Sequence, residues 1–224
     1  MILRFFSSSL VLVVALSCVG CLSDDSSLRL AARGMGLGNY SAAQYPRTRP
    51  EIEAFTYAQL GVRLPKYPPS IFVLTALGQG AETWSSADGV AIRMDYGQVV
   101  ELSGLSPGFK ATRSSTPLSR ALEAGQMPQS GSSYPVTVTT TTGVESSQSF
   151  ALICNLTEVG GATEIEIVDL TLTVRPFTEV CSDGQSTVRN EYWISTKRPY
   201  AWRSRQEVAP GLPSIQLDVL KRPG

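Results

Sequence analysis

The sequence predicts a mainly β, antiparallel domain, and three observations carry that prediction. Between Trp84 and Leu105 (WSSADGVAIRMDYGQVVELSGL) apolar and polar residues alternate in two runs separated by a glycine-bearing turn. Beyond Tyr134, alternating or β-branched runs recur about every ten residues with polar turns between them, the spacing of an antiparallel meander. Helical periodicity is confined to brief stretches, so helices enter as one or two short elements.

The central hairpin is the clearest element. Val90, Ile92 and Met94 alternate with Ala91, Arg93 and Asp95, and Val100 and Leu102 are set against Glu101 and Ser103. A period of two puts successive side chains on opposite faces of a sheet. Gly97 between the runs can take the positive φ of a tight turn. A lone hairpin is only marginally stable in water, so the rest of the chain must supply partner strands.

Met1 to Cys21 reads as a lipoprotein signal peptide. Arg4 supplies a positive start, and the apolar run Phe5 to Leu16 is too short for a permanent membrane span. The segment ends ALSCVGCLSDD. Gly20 before Cys21 and the polar Ser23-Asp24-Asp25 after it favour Cys21 as the lipidated residue, with Cys18 as the rival. Cys18 and Cys21 also form a CxxC, but a redox motif needs a βαβ context that this segment lacks. Acyl chains such as palmitate on Cys21 would anchor the protein stably. No Asp follows Cys21 directly, which places the expected anchorage in the outer membrane, facing the periplasm.

Residues 22–49 are polar and glycine-rich and are expected to form a flexible tether; GMGLG within them lacks the strand and helix of a phosphate-binding loop. A single domain is expected over 50–224. Pro50 to Leu60 reads as a short amphipathic helix with Pro50 at its start and Gly61 closing it. Pro65, Pro68 and Pro69 force an extended connector, and SIFVLTA (Ser70 to Ala76) reads as a buried strand. Gly104 to Gln129 is loop-rich, with one or two helical turns after Thr116-Pro117. Tyr134 to Thr142 and Ser147 to Cys154 read as strands. Asn155-Leu156-Thr157 fits a glycosylation acceptor, an accident of composition in a bacterial lipoprotein. Glu164 to Val174 alternates but changes phase, which predicts a β-bulge near Ile167-Val168. Phe177 to Cys181, Ser186 to Ser195, Tyr200 to Glu207 and Ser214 to Leu220 complete the meander, with a turn at Asp183-Gly184.

Composition narrows the chemistry. The 224 residues carry 19 basic and 19 acidic side chains and no His. A zero net charge argues against a nucleic-acid partner. The missing His excludes Ser-His and Cys-His catalysis and His-based zinc sites. No cofactor is expected, and no metal site, since no DxDxDG loop is present either. Asp88, Asp95, Glu101, Asp169, Glu179 and Glu191 are the carboxylates from which a sugar-cleaving pair would be drawn; Asp95 and Glu101 flank the hairpin and are expected to face each other. Solvated charges on a sheet explain them more simply. Trp84, Trp193, Tyr200 and Trp202, with Tyr192, form an aromatic set that could stack on a glycan or partner, although core and sheet packing explains it more simply. Cys154 and Cys181 lie at the ends of expected neighbouring strands, and in the oxidising periplasm they are expected to form a disulfide, with two buried thiols as the alternative.

These residues also resemble a family. A lipobox, then YPPSIFVLTA, ETWSSADGVAIRMDYGQVVELSGL and NEYWISTKRPYAWRSRQEVAPGLPSIQLDVLKRP are similar to the YjbF/GfcB-type lipoproteins of exopolysaccharide and capsule operons. The likeness runs from about Tyr67 to Pro223. Gln98 stands where that family more often has Arg, and Ser195 and Arg198-Pro199 also depart from its pattern. The resemblance implies a non-enzymatic accessory to polysaccharide export or assembly, working with export proteins and in contact with the polymer. It further implies a curved antiparallel sheet like the open half-barrels of lipoprotein carriers (LolA-like). Two rivals are a polysaccharide-modifying enzyme using paired carboxylates and a periplasmic lipid carrier with a large apolar hollow.

Overall fold

A computed structural model of the chain describes residues 44–65, 67–78, 80–143 and 146–223. Two short helices, α1 (Arg49–Ala54) and α2 (Pro117–Glu123), accompany thirteen strands. In chain order these are β1 (Gln59–Arg63), β2 (Ser70–Gly78), β3 (Ala81–Ser85), β4 (Ala91–Asp95), β5 (Gln98–Ser103), β6 (Lys110–Arg113), β7 (Ser132–Thr142), β8 (Ser146–Glu158), β9 (Thr163–Ile167), β10 (Leu170–Ser182), β11 (Thr187–Ser195), β12 (Ala201–Gln206) and β13 (Ile215–Lys221). All their pairings are antiparallel.

The sheet is a closed barrel of twelve strands, where the family resemblance implied an open half-barrel. Closure occurs because β11 pairs with β12 on one side and β10 on the other, while β1 is flanked by β13 and β2. Closing the sheet removes the edges that an open one must protect. β9 is the overhang. It pairs with Leu170–Val174 of β10, while β8 takes Phe177–Ser182 of the same strand.

The central hairpin forms as expected, with β4 and β5 joined through Tyr96 (φ 46°) and Gly97 (φ 88°). Two positive φ values in succession match the right-handed twist of the paired strands. Met94 pairs with Val99 and Arg93 with Glu101, and the register shift between them skips Val100. Val99 and Leu102 are therefore the buried apolar residues of β5, and the expected Val100 is only half-buried.

The phase change near Ile167-Val168 is a hairpin turn and not a bulge. Val168 (φ 45°) and Asp169 (φ 61°) turn the chain, and Leu170 pairs back onto Ile167. Both a bulge and a two-residue turn shift the alternation, so the pattern alone does not separate them. The expected helix Pro50 to Leu60 is also corrected. Pro50 and a Thr48–Glu51 capping box start α1, but it stops at Ala54. Gln59 and Leu60 already belong to β1, hydrogen-bonded on both sides. β3 and β6 occupy stretches read as turn and loop.

Inward side chains pack in two clusters. One gathers Leu60, Val62, Phe72, Trp84, Ile92, Met94, Leu102 and Leu217; the other gathers Leu118 and Leu122 of α2 with Val136, Leu152, Leu156, Phe177 and Tyr192. A third, smaller cluster lies outside the barrel wall, where Tyr45, Ile52 and Ile167 cover Leu220. Arg49 fastens this layer. Its guanidinium donates to the carbonyls of Leu220 (2.7 Å), Val168 (2.9 Å) and Ile167 (2.5 Å). Residues 45–49, assigned to the tether from sequence, are thus part of the folded unit. The expected signal peptide, the rest of the tether, Cys18 and Cys21 lie outside the described residues.

Candidate functional site: an arginine-lined groove on the barrel wall

The strands β1, β13 and β12 obey strict alternation, and this builds the site. Leu60 and Val62, Ile215 and Leu217, and Ser204 and Gln206 turn inward and are buried. Their neighbours Gly61 and Arg63, Gln216 and Asp218, and Arg203 and Arg205 belong to the opposite face. Register then aligns them across the strands. One rung runs Arg63, Gln216, Arg205, Glu191; the next runs Gly61, Asp218, Arg203, Trp193.

Asp218 is fully enclosed although it sits on the outer face. Tyr45 lies across Gly61, where any Cβ would run into its ring, and its hydroxyl donates to Asp218 Oδ2 at 2.6 Å. Burial first, and then the Asp218 carboxylate, push the Tyr45 hydroxyl well above its ordinary pKa. Arg203 Nε donates to Asp218 Oδ1 and Gln216 Nε2 to Oδ2 at 3.0 Å. Arg63 Nε stands 3.7 Å from the same carboxylate, with its guanidinium 4.4 Å from the Tyr45 ring centre.

Beside this network a groove of about 790 Å³ opens between the sheet and the proline connector. Its floor is Arg63, Gln216, Arg205 and Ser214; its wall is Leu64, Pro65, Tyr67, Pro68 and Pro69. A second hollow of about 380 Å³ shares Arg63 and is edged by Tyr45, Arg47, Thr48, Glu166 and Asp169. Both lie on the outside of the wall. The connector was legible from its prolines. The arginine floor was not, because it forms only when three strands distant in sequence adopt one register.

The aromatic residues expected to make a shared surface are dispersed. Trp84 is fully enclosed in the barrel, where its Nε1 donates to Glu82 at 3.2 Å, so it presents nothing to solvent. Tyr200 is also buried and donates to Glu82 at 3.4 Å. Trp202 packs edge-on against Tyr200 at 5.8 Å, and Arg222 lies over both rings. Trp193 is half-buried next to Arg203. Desolvation raises the pKa of Glu82 against the opposing pull of its two donors.

The candidate carboxylates are scattered, and all but Asp169 have partners of their own among the described residues. Asp95 pairs in register with Gln98 and accepts from Ser115 at 2.7 Å, whereas Glu101 pairs with Arg93 and bridges Lys110 at 3.1 Å. The two do not face each other as expected, because the two-residue turn at Tyr96-Gly97 sets Gln98 opposite Asp95 and leaves Glu101 further along the strand. Asp88 accepts from Ser86, and Asp169 sits in the β9–β10 turn. Glu179 is sealed in the barrel. It accepts from Arg113 (2.7 Å), Tyr134 (2.6 Å) and Asn190 (2.6 Å).

Cys154 and Cys181 are register partners on β8 and β10 and form a disulfide. Arg113 Nη2 lies 3.8 and 3.6 Å from the two sulfurs. These cysteines and Glu179 are close enough together to ligate a metal ion, but their sulfurs are bonded to each other. Gln98, which departs from the resembled pattern, is buried and accepts from Thr116 Oγ1 at 3.0 Å, tying the hairpin to α2.

Residues 39–220 match the family described as group 4 capsule polysaccharide lipoprotein gfcB, YjbF. The chain belongs to this family. The matched region takes in every strand from β1 to β12 and nearly all of β13. Among solved structures, the hypothetical lipoprotein YmcC from Escherichia coli K12 is similar, with a TM-score of 0.68 and 18% identity over 90% of this chain and 99% of that one. At that identity the likeness speaks for the fold. No curated protein matches the chain. Family membership places it in a capsule polysaccharide context and in the cell envelope. No helix of the described residues is long and apolar enough to cross a membrane.

Proposed function

We propose that this protein is a non-enzymatic lipoprotein, anchored in the outer membrane through Cys21 and facing the periplasm, that assists assembly or export of an extracellular polysaccharide. One observation carries the reading: the capsule lipoprotein family matches the folded barrel almost from end to end. The scattered carboxylates favour holding over cleaving, since glycoside hydrolysis needs two carboxyl groups converging on one bond. The side chains packed inside the barrel favour a surface role over carriage of a lipid in its interior. Protein partners belong to the export machinery, and the polymer itself is a second partner.

Deletion of the gene in its native cell tests this. The expected result is loss of surface polysaccharide, restored by the wild-type gene and not by Cys21→Ser. Unchanged surface polymer in the deletion, or measurable shortening of the polymer by the purified protein, would overturn the reading.

A further inference from the structure

We infer that the groove between the proline connector and the β1–β13–β12 face binds an acidic segment of polysaccharide, with sugar carboxylates held by Arg63 and Arg205. This deepens the functional reading above and rests on it.

The charge arrangement is the main support. Asp218 is shared by Arg63 and Arg203, and Glu191 is shared by Arg189 and Arg205. Each carboxylate therefore faces two guanidiniums, and each set keeps one surplus positive charge. Asp218 accepts its hydrogen bonds from Tyr45, Arg203 and Gln216. Arg63 stays beyond bonding distance, and its buried Nε has no hydrogen-bond partner among the described residues. Ser214 Oγ, in the same groove, is buried and unpartnered too. Both atoms are shut off from solvent, so what a ligand can reach is the part of the Arg63 side chain that is 31% exposed. Arg205 is about half exposed, 3.6 Å from Glu191, and loosely held.

Shape and surface chemistry select a sugar among anions. Tyr67 is 41% exposed and lines the groove together with Pro68. Flat apolar surface beside hydrogen-bond donors suits a pyranose ring, which has apolar C–H faces and a polar edge. Guanidinium suits carboxylate because its paired N–H groups match the two oxygens. Arg63 and Arg205 stand on either side of Gln216 in one rung. An extended chain lying along that rung meets a cation, an amide and a cation in turn.

The test uses the full-chain protein in detergent and a fluorescently labelled oligogalacturonate, followed by anisotropy. Binding is expected, to weaken about tenfold or more with Arg205→Ala and again with Tyr67→Ala, and to fall as salt rises. Arg93→Ala, an exposed charge on β4, is expected to leave binding unchanged, and thermal unfolding reports whether each variant is folded. Equal binding of neutral maltohexaose, equal binding of poly-glutamate, no binding at all, or equal loss with Arg93→Ala would each overturn the inference. If oligogalacturonate fails to bind while gene deletion still strips the surface polymer, the groove assignment falls and the functional reading stands. If it binds while deletion leaves the polymer intact, the functional reading falls.

Discussion

Arg113 donates to Glu179 at 2.7 Å in the interior of the barrel, and neither side chain reaches water. Breaking such a pair from one side leaves a charge stranded at low dielectric, at a cost of about 3–5 kcal/mol. Arg113→Met is expected to lose that much in urea unfolding. The double change Arg113→Met, Glu179→Leu is expected to recover part of it, since no charge is then left buried. Three neutral donors, Tyr134, Asn190 and Tyr192, surround the carboxylate, so recovery stops short of the wild type.

The Cys154–Cys181 bridge closes a separation of 27 residues. In the chain-entropy model a loop of that size stabilises by roughly 3 kcal/mol. A Cys154→Ala, Cys181→Ala double variant is expected to unfold at a correspondingly lower urea concentration. In the native protein these sulfurs are expected to resist a thiol probe until reductant and denaturant are both present, measured by mass shift.

Glu82 gives a pH-dependent signature. Burial holds its pKa above the ordinary carboxylate value. The native state therefore keeps its proton at pH values where the unfolded chain has already lost it. Stability falls as pH rises through that window, between the ordinary value and the raised one. Glu82→Gln removes the titration. The melting-temperature difference between variant and wild type is expected to shift in the variant's favour as pH rises from the ordinary carboxylate value through the raised one, read by thermal scans at each pH. An unchanged difference would show that Trp84 and Tyr200 offset the burial completely.

Gly97 carries the turn of the central hairpin at φ 88°, and a Cβ there would strike the Ala201 side chain. Gly97→Ala is expected to destabilise by at least the 1–2 kcal/mol of the left-handed backbone, with the collision added. Gly131, also at positive φ but with open space around it, is the control, and Gly131→Ala is expected to cost only the backbone part.

The sequence was most readable where one strand explains itself. The 90–102 hairpin, Ser70–Ala76, and the strands β7, β8 and β11 to β13 followed from alternation, β-branched content and turn residues. Reading failed where two structures share one pattern. The shift of phase at Ile167-Val168 suits a turn as well as a bulge, and Ala58-Gln59-Leu60 suits a helix end as well as a strand start. Tertiary pairing decided both. Barrel closure was hidden for the same reason, because β11 needs two partners to close the ring and its sequence reports only one alternation. Nothing in the sequence singles out Asp218, which Tyr45, 173 residues away, seals. Trp84 and Tyr200 are core residues, the simpler of the two readings of the aromatic set, and an interior Glu82, which alternation alone does not reveal, is their polar partner.

The grip of Arg49 on three backbone carbonyls has a mechanical consequence. Tension arriving from the chain before Gln44 meets the barrel at Tyr45 and Arg49, and is handed at once to the end of β13 and to the β9–β10 turn. A pull on the chain at Gln44 is therefore shared between two separate points of the wall instead of falling on a single strand end.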